Sequence, residues 1–433
     1  MGEERGVLGV YVCISAFVHS FAYTNVLIHE CTYTHIHEHT HTRTHTYTTK
    51  MDLFKVYPLF DIRPVRGQGS YVYDEHGQAY LDLYGGHAVI SIGHGHPHFV
   101  ERIRAQLEAL PFYSNSVQNE LQEALAAKLG QVSGCEDCTL FLCNSGAEAN
   151  ENALKLASFQ NRKSKVIAFR KGFHGRTSAA VRITDNPKIV APINEGFEVV
   201  WHDLNDSAGV LESLAQGDVC AVVVEGIQGI GGIYIPDAAF LRAVAAGCLE
   251  QGTVLILDEV QSGYGRSGAF FAFQHAGVTP GLITVAKGMG NGFPIGGVLI
   301  HSGFEAEYGM LGSTFGGSHL ACAAGLAVLE VIEQEQLMAN AAETGQYLMQ
   351  ELRQFSPVAE VGGLGLMIGA SFEFPVGALR RQLLFEEKVF TGSASCPNTL
   401  RLLPPLNLSR KEAGIFLEKL HSALKKLPKT KVA

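Results

Sequence analysis

The sequence predicts an α/β protein built on a mostly parallel β-sheet, and three observations lead to this class. The chain has 433 residues, 46% hydrophobic and 17% charged, so a large core is available and global disorder is excluded. Short apolar segments alternate with helical patterns along the middle of the chain, as in sheets whose parallel strands are joined by helices. Glycine is abundant, at 48 residues, which indicates many turns and close backbone approaches.

Six segments have the length and composition of buried strands, and three have the periodicity of helices. The predicted strands are Thr139–Leu142, Lys165–Phe169, Val219–Val224, Thr253–Leu257, Leu282–Ala286 and Gly297–Ile300. The predicted helices are Ala147–Ser158, Ala238–Gln251 and His319–Glu333. A smaller α+β lobe follows a predicted turn at Gly362–Gly365, with a helix, a strand and a helix expected at Leu383–Val389, Thr399–Leu403 and Glu412–Leu424.

The first fifty residues differ from the rest of the chain. They hold 7 of the 18 histidines, and residues 31–50 nearly alternate Thr and His, as the translation of a simple nucleotide repeat would. The residues from Met51 onward resemble the N-terminus of an ordinary protein. We therefore expect 1–50 to be a non-native or disordered extension. An apolar run at 7–28 leaves a membrane anchor as an alternative, although acidic residues precede it, and the histidines leave metal binding as another.

We expect three regions after residue 50: 51–105 as the N-terminal part of a small domain, 106–330 as a large cofactor-binding domain, and 331–433 as the C-terminal part of the small domain. The net charge of −9 argues against a nucleic-acid partner. Nine irregularly spaced cysteines do not form a disulfide framework, which favours a reduced, cytoplasmic enzyme. A lone Cys135/Cys138 pair and clustered histidines lack further ligands, so no metal site is expected.

Chemistry-bearing residues follow four of the predicted strands, where parallel sheets bind their ligands. After Leu142, a small polar turn with Ser145 leads into a helix start, which suits a phosphate. After Phe169, Phe173 lies between glycines and suits stacking on a planar ring, and Arg176 suits a carboxylate. A capped helix and a glycine-rich surface loop are the ordinary structural explanations of these two segments.

Two ionisable residues follow the next strands. Asp258 leaves a fully apolar strand and needs a cationic partner, which a protonated pyridine nitrogen would be. Lys287 directly follows an apolar strand among glycines, where partial burial lowers the pKa of its amine as a Schiff-base lysine requires. A helix-capping Asp and a strand-ending Lys are the structural alternatives. Together, the four segments supply what pyridoxal phosphate (PLP) requires, namely a lysine, an acid, a stacking aromatic and a phosphate cup.

The residues from about Met51 to Leu424 resemble the class III, ornithine-type aminotransferases of fold type I. The resemblance rests on NSGAEAN at 144–150, FHGRT at 173–177, LDEVQSGYGRSG at 257–268, AKGMGNGFP at 286–294 and STFGGSHLAC at 313–322. Within that class the chain is most similar to the acetylornithine aminotransferases. The variants GGHAVISIGHGHP at 85–97 and EGIQGIGGI at 225–233 resemble a bacterial branch thought to use N-succinylornithine.

The resemblance implies a large domain with a seven-stranded-type sheet, a smaller α+β domain, and a role for each matching residue. It implies Lys287 and Asp258 as catalytic residues, with Lys287 moving the proton and Asp258 holding the pyridine nitrogen protonated. It implies PLP contacts from Ser145, Gly146, Ala147, Phe173, His174, Glu225, Asp258, Gln261, Lys287 and Thr314. Thr314 would reach the cofactor of the other subunit of a homodimer. Substrate contacts would come from Arg176, Arg401 and Tyr57.

One residue departs from the ornithine aminotransferases. A Glu usually stands where Ile230 stands here, and it shields the arginine that matches Arg401. Ile230 cannot do this, so the sequence favours transfer of the terminal amine of an N-acylornithine, acetyl or succinyl, to 2-oxoglutarate in arginine biosynthesis. Free ornithine, 4-aminobutyrate or another ω-amino acid is the alternative substrate. The Arg401–Arg176 pair disfavours an aminomutase or epimerase, and the intact Lys287 and Asp258 disfavour a non-catalytic or membrane-tethered protein.

Overall fold

The structure is a computed structural model that describes residues 51–427. The prediction for residues 1–50 therefore lies outside the described residues. The chain divides into two units, one ending at Phe60 and the other beginning at Asp61. Residues 51–60 contain no helix or strand, and the elements below all belong to the second unit. Within the described residues, no helix is both long enough and apolar enough to span a bilayer.

The second unit contains strands, α-helices and short 3₁₀ turns. The strands are β1 (Pro64–Gln68), β2 (Tyr71–Asp74), β3 (Ala79–Asp82), β4 (Thr139–Cys143), β5 (Lys165–Phe169), β6 (Val199–His202), β7 (Val219–Glu225), β8 (Val254–Asp258), β9 (Leu282–Val285), β10 (Gly296–Ile300), β11 (Val358–Leu364), β12 (Met367–Phe372), β13 (Val389–Phe390), β14 (Gly392–Ser393) and β15 (Thr399–Leu402). The helices are α1 (Gly85–Ala88), α2 (Pro97–Ala109), α3 (Glu120–Ser133), α4 (Gly146–Asn161), α5 (Ser178–Arg182), α6 (Ser207–Leu214), α7 (Gly229–Gly232), α8 (Ala238–Gln251), α9 (His319–Gln334), α10 (Leu337–Leu352), α11 (Gly377–Phe385) and α12 (Arg410–Lys426). The 3₁₀ turns are Pro187–Ile189, Pro192–Asn194, Ala272–Ala276 and Lys287–Met289.

A seven-stranded sheet forms the centre of the second unit, in the order β4-β10-β9-β8-β7-β5-β6. Strands β6, β5, β7, β8 and β9 pair in parallel, and only β10 runs antiparallel to its neighbours. Every residue of β7, β8 and β9 is buried, as expected for parallel strands covered on both faces. The prediction of an α/β fold with a mostly parallel central sheet is confirmed.

The parallel register brings the strand ends together at one edge of the sheet. Glu225, the last residue of β7, lies opposite Asp258, the last residue of β8, and Asp258 lies opposite Thr284 of β9. Lys287 follows two residues after the end of β9. The residues that the sequence placed after separate strands are therefore neighbours in space, at the edge where parallel sheets bind ligands.

Two four-stranded sheets accompany the central one. The first has the order β1-β2-β3-β13, with β13 parallel to β3, and the second has the order β11-β12-β15-β14. The first sheet pairs residues near 80 with residues near 390, so it joins distant parts of the chain. The second sheet holds Arg401 in its interior on β15, with Gly392 of β14 as its direct pairing partner.

Two of the predicted boundaries in the C-terminal region are wrong. The helix expected at Leu383–Val389 is α11, which ends at Phe385; Lys388 then takes a left-handed conformation (φ +59°) that turns the chain into β13. Of the turn expected at Gly362–Gly365, only Gly365 lies in the observed turn, which continues to Leu366. Gly362 and Gly363 belong to β11 and pair with Gly369 and Ile368 of β12.

Candidate active site

A buried carboxylate stands at the centre of the site. Asp258 is only 4% exposed, and its Oδ2 lies 2.7 Å from His174 Nδ1 and accepts a 2.8 Å hydrogen bond from Asn150 Nδ2. Asn150 also donates to His174 O, and its Oδ1 accepts from Thr284 Oγ1. Asp258 Oδ1 accepts from Val260 N. The carboxylate is therefore fixed in one orientation by residues of four separate segments.

The charges of Asp258 and His174 stabilise each other. Burial raises the pKa of Asp258, but the hydrogen bond and charge of His174, with Lys287 and Asn150, outweigh it and hold the pKa below its usual range. Burial lowers the pKa of His174, but the hydrogen bond and charge of Asp258 outweigh it, so the His174 pKa is raised. Each group thus stabilises the charged form of the other, which suits Asp258 to face a cationic ring nitrogen.

Lys287 is held in an unusual backbone conformation with its amine free. Its φ is +45°, a left-handed value that a non-glycine residue adopts at a cost of about 1–2 kcal/mol. The loop is clamped by Ser91 Oγ, which donates to Gly288 O at 2.7 Å, and by Asn291 Oδ1, which accepts from Ser91 N. The structure gives the Lys287 amine no hydrogen bond or ion pair within residues 51–427. Burial above all lowers the pKa of this amine, as a nucleophilic lysine requires.

The start of α4 forms an anion-binding turn. Ser145 is the N-cap, and its Oγ accepts from Glu148 N at 3.2 Å. No acceptor within the described chain is recorded for the N–H groups of Gly146 and Ala147, which point out of the helix start. A Cβ on Gly146 would lie 2.5 Å from Val260 Cγ1, so only glycine allows this turn to pack so close to the segment after Asp258. The N-terminus of a 16-residue helix thereby offers free donors beside the Asp258 cluster.

Glu225 fixes the loop that carries Phe173. Its Oε1 accepts from Phe173 N at 3.0 Å, and its Oε2 accepts from Gly229 N at 2.9 Å. Burial raises the pKa of Glu225 to about 7, opposed by the charge of His174. In this structure Glu225 therefore acts on the backbone of two neighbouring turns, and through one of them it sets the position of the Phe173 ring.

A second cluster surrounds Arg401, which is 1% exposed. Its Nε donates to Ser393 O at 2.5 Å, and its Nη1 donates to Gln261 Oε1 at 3.4 Å. Gln261 Nε2 in turn donates to the His87 carbonyl at 3.1 Å. Neither partner of the guanidinium is charged, and within the described residues Arg401 forms no ion pair. Burial lowers its pKa to about 10, so the group stays protonated at neutral pH while lacking a counter-ion.

Three predicted site residues are exposed in the single chain. Arg176 is exposed, with its guanidinium carbon 6.0 Å from the Phe173 ring centre. Thr314 is exposed in the loop before α9, where Ser313 Oγ accepts from Asn144 Nδ2 at 3.1 Å. Tyr57 is 78% exposed and belongs to the unit that ends at Phe60.

Sequence reasoning missed several residues of the site. Asn150 lies within a recognised motif, but its contact with Asp258 depends on the pitch of α4. Tyr84 and His87 border the Arg401 cluster, with Tyr84 Oη 2.6 Å from His87 Nδ1. His87 lies in a tight left-handed turn, since all four residues of α1 have positive φ. No periodicity in the sequence signals such a turn.

A model of the aminotransferase class-III family matches residues 55–424 of the chain. The chain belongs to this family. The resemblance drawn from the sequence motifs is thereby confirmed, and so is the enzyme class: this class III aminotransferase is a PLP-dependent enzyme acting on small-molecule amino donors and keto acids.

Curated relatives agree with this assignment. The acetylornithine aminotransferase of Bacillus subtilis is 39% identical over 380 residues, covering 86% of this chain and 97% of the relative. That of Archaeoglobus fulgidus is 39% identical over 375 residues, covering 85% and 97%. Among solved structures, an ornithine aminotransferase from Toxoplasma gondii matches with a TM-score of 0.80 and 25% identity, covering 87% of this chain and 94% of that one. A second structure of that protein, at 26% identity, a TM-score of 0.80 and coverage of 85% and 90%, has PLP at partial occupancy in its active site.

The residues of this class III aminotransferase fit PLP. The cofactor needs an amine, an anionic partner for its ring nitrogen and donors for its phosphate. The free Lys287 amine, the Asp258 carboxylate and the helix start at Gly146 meet these needs. They lie at the carboxyl end of the parallel strands, and Gly146 packs so closely on Val260 that no larger residue fits at position 146.

Proposed function

We propose that the protein transfers the terminal amine of an N-acylornithine to 2-oxoglutarate, giving an N-acylglutamate semialdehyde and glutamate, as a step of arginine biosynthesis. The acetylornithine aminotransferases among its relatives support this substrate class. The structural neighbours are ornithine aminotransferases, so free ornithine is the alternative donor. One observation favours the acylated donor: within residues 51–427, no carboxylate forms an ion pair with Arg401.

The free guanidinium of Arg401 favours an acylated donor. Ile230 lies in the α7 turn directly after Gly229, and a Cβ on Gly229 would overlap Gln261 Oε1, the acceptor of Arg401. The α7 turn therefore packs against the Arg401 cluster but brings it no carboxylate. An unshielded guanidinium binds the α-carboxylate of glutamate or 2-oxoglutarate strongly. It also leaves no acid for the free α-amine of ornithine, whereas an N-acyl group removes that positive charge.

Each residue of the site has its own role in the proposed reaction. PLP, when bound, supplies a ring that takes up the electrons of the C–H bond being broken. Ser145, Gly146 and Ala147 would hold its phosphate, Phe173 would cover its ring, and Asp258 would face its nitrogen. Lys287 Nζ moves the proton at the carbon that carries the departing amine. Arg176 and Arg401 orient the carboxylates of the substrates, and the two half-reactions alternate in ping-pong order.

His174, Glu225 and Gln261 act through other residues in this proposal. His174 and Asn150 keep Asp258 ionised and oriented. Glu225 positions the loop of Phe173. Gln261 spans from Arg401 to the backbone of His87, so it links the α-carboxylate site to the turn at residues 85–88. Tyr57 is proposed to line the substrate end of the site.

The active enzyme is proposed to be a homodimer in which Thr314 of each subunit reaches the other subunit's cofactor. The support is an exposed apolar surface around Thr314, with Phe112 and Phe315 in contact at 5.3 Å between ring centres and Tyr113 and Val117 nearby in sequence. Phe315 is 61% exposed in the single chain. Such a surface is favourable only when covered, and a second copy covers it while bringing Thr314 to a site.

A cytoplasmic location is also proposed. The cysteines at 135, 138, 143, 220, 248, 322 and 396 are thiols in the structure, which accords with a reducing compartment.

A substrate panel tests the proposed reaction. Protein starting at Met51 is assayed with N-succinylornithine, N-acetylornithine, free ornithine and 4-aminobutyrate, each with 2-oxoglutarate. We expect an acylated ornithine to have the highest kcat/KM by about tenfold or more, which is about 1.4 kcal/mol of transition-state discrimination. A higher value for free ornithine or 4-aminobutyrate would contradict the proposal.

A further inference from the structure

A cavity of about 470 Å³ lies at the carboxyl ends of β5 and β6. Its wall is formed by residues that follow these two strands, by the segment around α7, and by β11 at the edge of its four-stranded sheet. Binding sites for small molecules have volumes of about 300–1,000 Å³. None of the residues proposed to hold the cofactor or to bind the substrates lines this cavity.

The α7 turn lies between this cavity and the Arg401 cluster. On one side, a Cβ on Gly229 would overlap Gln261 Oε1, which accepts from Arg401. On the other side, a Cβ on Gly231 would lie 2.9 Å from the Cβ of Lys171, a residue that lines the cavity. The turn is therefore a wall between the two, and the cavity is distinct from the site described above.

Three charged side chains line the cavity without a charged partner. They are Lys171, Asp203 and Glu360, and within residues 51–427 none of them forms an ion pair or a side-chain hydrogen bond. The Lys171 amine instead lies 4.3 Å from the centre of the Tyr234 ring, which also lines the cavity. Unpaired charges of both signs around one cavity suit a ligand that itself carries both signs.

The balance of these charges indicates which ligand would fit. The fourth charged residue of the lining, Arg170, already has a partner, because its Nη1 lies 3.4 Å from Asp185 Oδ1. One positive and two negative groups remain, so a complementary ligand has one carboxylate and two cationic groups. An α-amino acid with a basic side chain has this set of groups. Leu204, Ile233 and Tyr234 provide apolar contacts for the methylene groups that join them.

We propose that this cavity is a binding site for a basic α-amino acid. Lys171 binds the α-carboxylate of this ligand, and Asp203 and Glu360 bind its α-ammonium group and its side-chain cation. Arginine, lysine and ornithine share this chemistry, whereas neutral and acidic amino acids leave at least one of the two acids unpaired.

The cavity stays open in the proposed homodimer. Thr314 lies in a loop that contacts the segment after β4, and β4 and β6 are at opposite edges of the seven-stranded sheet. The cavity lies at the β6 edge, away from the surface proposed to pair two subunits. No residue of its lining takes part in the proposed reaction, so the inference does not depend on which amino donor the enzyme uses.

Equilibrium dialysis of the PLP-loaded wild-type enzyme tests the ligand chemistry, with L-arginine as the probe. L-citrulline has the same length with an uncharged end, and agmatine keeps the cationic groups but lacks the carboxylate. We expect arginine to bind about tenfold or more tightly than either compound. Equal affinities for arginine and citrulline, or no binding of arginine at millimolar concentration, would overturn the proposal without recourse to any variant.

Variants of the lining test the location. Glu360→Gln should raise the Kd of arginine about fivefold or more. Glu373→Gln is the matched control, because Glu373 directly follows β12 in the same sheet, is exposed and does not line the cavity; it should leave the Kd within about twofold of wild type. Lys171→Met should weaken the binding of arginine and leave that of agmatine unchanged, since agmatine has no carboxylate.

Arg401→Gln distinguishes this cavity from the active site. Arginine bound in the active site would place its carboxylate on an arginine there, so Arg401→Gln would weaken its binding and Glu360→Gln would not. That pattern would overturn the proposal. We expect the reverse pattern, and it would hold whichever donor has the highest kcat/KM, so failure of the proposed reaction and failure of this site are separate results.

Discussion

His174 Nδ1 lies 2.7 Å from Asp258 Oδ2, and both side chains are buried at the edge of the central sheet. The charge of each residue offsets the burial of the other. A histidine in this place therefore does more than fill space: it lowers the pKa of a carboxylate whose burial raises it.

Replacing His174 by Leu should weaken both PLP binding and catalysis. Asp258 would lose its strongest donor, its pKa would rise, and its interaction with a protonated ring nitrogen would weaken. A hydrogen bond to a charged group contributes about 1.5–3 kcal/mol, so kcat should fall by roughly 10- to 100-fold. PLP affinity is measured by titration of absorbance, and kcat in steady state. His275→Leu, which removes a histidine that contacts only Ser267, is the control, and a kcat within twofold of wild type for His174→Leu would refute the role.

Glu225 should make stability depend on pH. Its pKa is raised to about 7 in the folded protein, from an ordinary value of 4.5, so the folded state binds the proton more tightly than the unfolded chain. The stability that this carboxyl contributes is therefore present below pH 4.5 and lost as the pH rises through about 7. We expect the thermal midpoint of the wild type to fall between pH 5 and pH 8 by a few degrees more than that of Glu225→Gln. Glu212→Gln, at an exposed position of α6, should follow the wild type, and parallel curves for all three proteins would disprove the prediction.

Lys287→Ala should abolish turnover without disturbing the fold. The Lys287 amine makes no contact in the described chain that another residue depends on, whereas the proton transfer requires it. Turnover should fall by roughly 10⁴-fold or more, and the oligomeric state seen by light scattering should not change. Lys171→Ala removes an exposed lysine that lies 4.3 Å over the Tyr234 ring and serves as the matched control. Measurable turnover by Lys287→Ala near the wild-type rate would sink the assignment of this residue.

Ile230→Glu should shift the enzyme toward free ornithine. The new carboxylate would enter the turn beside the Arg401 cluster and provide the acid that the cluster lacks. The ratio of kcat/KM for free ornithine to that for an N-acylornithine should rise about tenfold, and KM for 2-oxoglutarate should rise because Arg401 is now paired. Ile230→Gln has the same size without the charge. If the Gln variant shifts the ratio as much as the Glu variant does, charge is not the cause.

The sequence predicted best the residues that directly follow buried strands. Asp258 ends an apolar run and Lys287 comes soon after another, so strand order alone places them at one edge of the sheet. Six of the seven central strands match their predicted bounds within one residue, because β-branched and aliphatic runs leave few alternatives in a parallel sheet. The seventh, β6, was not predicted.

The cluster around Arg401 could not be predicted in the same way. Its residues come from the turn after β3, the segment after β8, β14 and β15, which tertiary contacts bring together across about 300 residues of sequence. The β13 and β14 strands have two residues each, too short for any periodicity, and the left-handed Lys388 that separates α11 from β13 has no sequence signal. That is why the predicted helix at Leu383–Val389 is misplaced.

Arg401→Gln should separate the two half-reactions. A buried guanidinium that binds a carboxylate contributes about 2–4 kcal/mol, and in our proposal only glutamate and 2-oxoglutarate place their α-carboxylate on it. In single-turnover measurements the spectrum of the bound cofactor reports each half-reaction. The second-order rate constant for 2-oxoglutarate should therefore be about 30- to 1,000-fold lower in the variant than in the wild type. The value for an N-acetylated donor should change less than tenfold. Arg242→Gln is the control, because Arg242 donates to a single backbone carbonyl, that of Ala276, far from the site in sequence. Arg266→Gln is unsuitable, because Arg266 Nη1 donates to two backbone carbonyls in the core. An equal loss in both half-reactions would show that Arg401 supports the site as a whole and does not distinguish its two substrates.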